Sequence, residues 1–200
     1  MIKKLALSLA AAGLCAAAPA MAQSYNFAGI STNGQSYQGA TLGPMTLSSE
    51  NGTLVYTSAY GGGIYDGNGG SSDITLTFSS ALSSIAIRAG DGAGDLDAFG
   101  MTAYEFGTNN LLGTFYTPKF GGPNEPEWYT LALSGIGNIG KIVFDPCNGG
   151  ACPGTLAGLG GVVVTDINVT VLSVPEPSTY ALMFGGLGLA GWVARRRRSV

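Results

Sequence analysis

The sequence predicts an all-β domain, a sandwich or barrel of short antiparallel strands, held between two processing segments. Three observations predict it. Apolar and polar residues alternate in run after run, as in Asp73-Ile74-Thr75-Leu76-Thr77-Phe78, and a period of two marks a strand with one buried and one wet face. Turn chemistry separates the runs, as in Asp66-Gly67-Asn68-Gly69-Gly70 and Gly90-Asp91-Gly92-Ala93-Gly94, where glycine and asparagine supply the backbone angles that turns need. No stretch between the two processing segments reads as a convincing helix. The chain holds 33 glycines in 200 residues, yet bulky apolar and aromatic side chains fill the alternating positions, which argues for a packed core rather than a flexible polymer.

The first 22 residues read as a secretory signal peptide. Lys3 and Lys4 supply a positive start, Leu5 to Ala18 are almost wholly apolar, and Ala20-Met21-Ala22 places the cut between Ala22 and Gln23. Residues 23–173 then form one domain, long enough for a real core. Its strands are expected over Thr53 to Ser58, Asp73 to Phe78, Ser84 to Ala89, Ala98 to Phe106 and Leu111 to Tyr116. Trp128 to Leu133, Lys141 to Phe144 and Val162 to Val171 complete the set. In the last of these, Val163, Ile167, Val169 and Val171 are expected on one face, with Asp166, Asn168 and Thr170 on the other.

The succession DITLTFSSALSSIAIRAGDG, DAFGMTAYEFGTNNLLGT, IGKIVFDP and GVVVTDINVTV resembles the jelly-roll or galactose-binding-like domains of exported proteins. The resemblance runs from Ser72 to Val171 and implies an antiparallel β-sandwich, jelly-roll-like. In such domains a closing strand carries an acidic signature, and Thr165-Asp166-Ile167 stands in its place with the first acid missing.

Charge narrows the function. Residues 23–173 carry eleven acids against Arg88, Lys119 and Lys141, a net charge near −8, whereas the whole chain stands at −3. Such a surface repels nucleic acid, so no nucleic-acid partner is expected. Cysteine usage agrees with export. Cys147 and Cys152 flank an asparagine- and glycine-rich turn, and a close pair outside the cytoplasm is most simply a disulfide.

Catalytic constellations are scarce. The chain has no histidine, so neither a Ser-His-Asp nor a Cys-His arrangement is available, and no enzyme is expected. A pair of carboxylates remains, with Glu125 and Glu127 beside Trp128; hydrolysis of a glycan would need two such groups at a set separation, and a solvated proline-rich loop leading into a strand explains the same residues. Asp91, Asp95 and Asp97 lie on one glycine-rich loop, and hard oxygen ligands on a flexible turn suit Ca²⁺. An ordinary acidic turn between strands is the alternative. Eight tyrosines of the domain and Trp128 supply aromatic surface for a carbohydrate-binding face, though tyrosine also half-buries well in strands.

The tail carries the sharpest signal. Val174-Pro175-Glu176-Pro177 opens a rigid extended linker over 174–179. Residues 180–194 are apolar, short for a membrane span, and Arg195, Arg196, Arg197 and Arg198 hold the end 195–200 in the cytoplasm. This set, in this order and at the extreme C-terminus, resembles the PEP-CTERM sorting signal. The resemblance implies recognition by an exosortase, a transient membrane anchor through a single C-terminal transmembrane helix, and delivery to the cell surface or extracellular matrix, in association with exopolysaccharide. The expected protein is a non-enzymatic surface or matrix component; a calcium-dependent carbohydrate-binding module is the alternative.

Overall fold

The computed structural model describes residues 20–27, 33–59, 61–67, 72–90, 96–121, 127–147, 152, 162–172, 184–191 and 195. Asp91, Asp95, Glu125, Val174 to Pro177, Arg196 to Arg198 and the first 19 residues lie outside them. Residues Ala20–Leu172 form one compact unit.

Ten strands are described: β1 (Met21–Asn26), β2 (Thr41–Leu42), β3 (Met45–Ser49), β4 (Val55–Thr57), β5 (Gly63–Tyr65), β6 (Ile74–Gly90), β7 (Gly100–Glu105), β8 (Leu111–Tyr116), β9 (Trp128–Asp145) and β10 (Val163–Val171). Every pairing between them is antiparallel. The all-β antiparallel architecture expected from the alternation is the one observed.

Two long strands tie the sandwich together. The start of β6 pairs with β3 on one side and with Lys141 to Phe144 of β9 on the other. Its end, Leu82 to Gly90, pairs with β10, and Ser84 to Gly90 pair with Trp128 to Ser134 of β9. The β6–β9 ladder shifts register between Thr77 and Leu82 and again by Ser84, and such bulges bend and twist a strand. Each long strand therefore contributes to both layers. The first layer runs β2, β3, the start of β6, the end of β9, β7, β8; the second runs the start of β9, the end of β6, and β10, whose far edge takes β1 and then β5 with β4.

This corrects the expected strand count. Asp73 to Phe78 and Ser84 to Ala89 are one strand, as are Trp128 to Leu133 and Lys141 to Phe144. Between the first pair the linker Ser79-Ser80-Ala81-Leu82-Ser83 contains no glycine or proline to stop the ladder. Between the second pair glycine is present, and Gly135 (φ 69°) and Gly137 (φ 125°) adopt angles closed to other residues, but they bend the strand rather than end it.

The core lies between the layers. Met45, Leu47, Leu76, Met101, Ile142 and Phe144 from the first layer and Leu82, Ile85, Ile87, Val164, Ile167 and Val169 from the second belong to one buried cluster. Ile74, Leu76 and Phe78 point inward as the alternation predicts, with Thr77 exposed. In β10 a register shift between Val164 and Asp166 moves the inward parity by one, so Val162 and Val164 share the core with Ile167 and Val169. Val163, expected on that face, is buried outside this cluster. Cys147 and Cys152 form the expected disulfide, buried against Ala98 and Tyr116.

In the C-terminal segment, residues 184–191 are helical and exposed. Eight helical residues reach about 12 Å, against a hydrocarbon core of about 30 Å. The membrane-spanning helix expected over 180–194 is thus described only in part, and no helix among the described residues is long and apolar enough to cross a membrane.

Candidate functional site

Register builds a site on the outer face of the second layer. Strand pairing places Ala22, Thr170, Ser84 and Ser134 in one row across β1, β10, β6 and β9. The next row is Ser24, Asn168, Ala86 and Ala132, and the third is Asn26, Asp166, Arg88 and Thr130. The first two rows hold only small or short polar side chains, so the sheet is left open there as a trough of about 410 Å³. Hydroxyl and amide groups of Ser24, Ser84, Ser134, Asn168 and Thr170 line it. The expected cut between Ala22 and Gln23 would fall inside β1, just before Gln23 to Asn26, which pair with β10.

The third row closes the other end with charge. Asn26 Nδ2 donates to Asp166 Oδ1 at 2.5 Å, and Arg88 Nη1 lies 3.6 Å from Asp166 Oδ2. Thr165, buried at the β10 bulge, donates from Oγ1 to Asp166 Oδ2 at 2.9 Å. The Arg88 side chain is 42% exposed and that of Asp166 19%, so the ion pair adds at most about 1 kcal/mol and serves chiefly to orient the guanidinium. Arg88 also lies 5.0 Å over the Trp128 ring. A Cβ on Gly61 would fall 2.6 Å from the same ring. Trp128 is therefore clamped at the start of β9 between Arg88 and Gly61, rather than offered as an open stacking platform. Tyr37 and Tyr56 are buried in the core and take no part in a surface.

The expected calcium loop is seen only at its end. Asp97 is fully buried and exchanges backbone hydrogen bonds with Phe120. Glu127, one of the two carboxylates weighed for hydrolysis, is exposed just before β9. Asp145, Cys147 and Cys152 converge within 4.8 Å, but the two sulfurs are bonded to each other and offer no thiolate. Asp145 Oδ1 instead accepts from the Cys147 amide at 2.8 Å and braces its left-handed turn.

Sequence reading missed an acidic group at this end of the sandwich. Desolvation, then Asp145 and Glu50, push the Asp73 carboxyl up to about 6. A raised folded pKa means that the folded state holds the proton more tightly than the unfolded chain. Asp73 thus favours folding below its usual value of 3.8, and that contribution is lost as pH rises through about 6. Asp73→Asn is expected to raise stability at pH 7 by about 1 kcal/mol, after discounting for the exposed part of the side chain, and to change nothing at about pH 3.5. Urea midpoints at the two pH values check this.

Residues 173–198 match the family model of the PEP-CTERM protein-sorting motif. The match contains Val174 to Pro177 and all four arginines, and it marks an exported protein bearing an exosortase-processed sorting signal. No curated protein matches the chain. Among solved structures, a cleaved adhesin domain of Lys-gingipain matches at 12% identity over 74% of this chain and 98% of that one, with a TM-score of 0.40. A mutant of a family 29 carbohydrate binding module matches at 10% identity over 75% and 92%, TM-score 0.34. A carbohydrate binding module from Cellvibrio mixtus lichenase 5A, in complex with cellotriose, matches at 16% identity over 70% and 95%, TM-score 0.30. These likenesses are loose, and no functional reading rests on them.

Proposed function

We propose that this is a non-enzymatic protein of the cell surface or extracellular matrix, which holds exopolysaccharide along the trough of the second layer. The trough itself carries the reading. Its 410 Å³ lies within the range of small-ligand sites, and its small floor side chains let a sugar ring approach the sheet closely. Ser84, Ser134, Asn168 and Thr170 offer donors and acceptors to hydroxyl groups. Among the described residues the one carboxylate at the trough is Asp166 at its closed end, engaged by Arg88 and Asn26, and the usual glycoside hydrolysis uses a pair, which favours holding a chain over cutting it. With Trp128 clamped, each contact is weak, and many copies on one surface would raise retention through multivalency.

The test is Ala86→Trp. Ala86 sits in the middle of the second row, and an indole there fills the floor. In affinity electrophoresis through the producing cell's own exopolysaccharide, the wild-type exported protein is expected to be retarded. The variant should run free at an unchanged melting temperature. Equal mobility of the two proteins in that gel would sink the proposal.

A further inference from the structure

The outer face of the first layer holds a separate cleft of about 300 Å³, lined in part by Thr77, Glu105, Phe106, Asn109 and Lys141. It is built on the turn that joins β7 to β8. The Glu105 carboxylate accepts from Thr108 Oγ1 at 2.6 Å and from Asn110 Nδ2 at 3.1 Å, and these bonds hold its pKa below the usual value. That carboxylate is therefore tied back onto its own turn. The Phe106 amide donates to the Asn138 carbonyl at 2.8 Å. Gly140 makes the seat: a Cβ there would lie 2.4 Å from Phe106 Cα, so the turn rests on β9 at a position where no side chain fits. The turn is fixed at both ends, yet its phenylalanine, Phe106, is 39% exposed.

The same cleft is lined by a cation with spare capacity. Lys141 Nζ stands 3.9 Å over the Tyr104 ring, which orients the ammonium and partly strips its water. Among the described residues the one ion pair is Arg88 with Asp166, so Lys141 has no carboxylate within ion-pair distance there. A part-exposed phenylalanine and an oriented ammonium lining one cleft, together with Asn109, match a sugar ring that bears a carboxylate.

We infer that this cleft binds a uronate unit of an acidic glycan, its ring face on Phe106 and its carboxylate on Lys141. This goes beyond the trough reading, since it lies on the other layer and uses different residues and a different ligand charge. The pair energy of a partly exposed ion pair converts to about a fivefold preference for the charged sugar.

The experiment is a titration of the isotopically labelled exported protein with a galacturonate trisaccharide and with the matched neutral galactose trisaccharide, followed through backbone amide shifts. The uronate is expected to move the amides of Phe106, Asn109 and Lys141. It should bind about fivefold more tightly than the neutral sugar and lose that preference in Lys141→Gln. Lys141→Arg should retain it, and Phe106→Ala should weaken both sugars. Equal binding of the two sugars, binding unaffected by Lys141→Gln, shifts confined to other residues, or no binding of either sugar would each overturn the inference. The same titration on Ala86→Trp should be unchanged, so loss of the trough and loss of the cleft are read separately.

Discussion

Replacement of Phe144 by alanine is expected to destabilise the domain by about 3–5 kcal/mol, the largest loss anticipated for any single side chain here. Phe144 lies on β9 where that strand is flanked on both sides, opposite Ile74 of β6 and Met101 of β7. It is fully buried, and its ring lies 5.1 Å from that of Phe99, which in turn meets Phe120 edge-on at 6.0 Å. Truncation therefore removes apolar burial and also the tilted Phe99–Phe144 ring pair, worth about 0.5–1.5 kcal/mol beyond the burial. Neighbours on two strands cannot collapse into the gap without breaking ladder hydrogen bonds, which places the cost high in the usual range. Urea unfolding should show a lower midpoint at an unchanged slope. A loss below about 1 kcal/mol would mean that the layers can repack, contrary to a single core shared between them.

That shared core was legible in part. Alternation in residues 73–78 located a strand and its inward face, and residues 111–116 were legible as a strand, because each lies in one layer. What alternation does not encode is continuity. The halves of β6 and of β9 read as separate strands because each half pairs with different neighbours, and the bulges between them look locally like turns. The shifted parity at Thr165 is hidden for the same reason: a bulge is a property of two strands, and its partner Arg88 lies far away in sequence. β1 goes unseen because its first two residues, Met21 and Ala22, belong to the expected signal peptide and Gln23 to Asn26 are too short a run to show a period. The trough was invisible for a simpler cause. Alanine, serine and threonine carry no sequence signature, and they become a site only when register sets four strands side by side. The residues that did attract notice, Trp128 and Asp97, proved to be clamped or buried. The sorting tail was read directly because its signal is a linear order of residues, and linear order is what a processing enzyme meets before any fold intervenes.

Gly90→Ala is expected to damage both the fold and the trough, through a contact in which no side chain can yield. Gly90 ends β6 opposite Trp128, and a Cβ there would lie 2.3 Å from the Glu127 carbonyl oxygen and 3.0 Å from the Trp128 ring. The first of these is backbone, so relief requires the start of β9 to move away from β6. The cost of such overpacking is about 1–3 kcal/mol, and the upper end applies where backbone must shift. The displacement also carries Trp128 away from Arg88, whose guanidinium is held by that ring and by Asp166. Freed of one support, Arg88 no longer defines the charged end of the trough. Gly90→Ala should therefore melt lower than wild type and also lose retardation in the polysaccharide gel, whereas Ala86→Trp loses retardation alone. Retention at wild-type strength by a destabilised Gly90→Ala protein would show that the Arg88 end is dispensable and that any binding rests on the serine, asparagine and threonine rows.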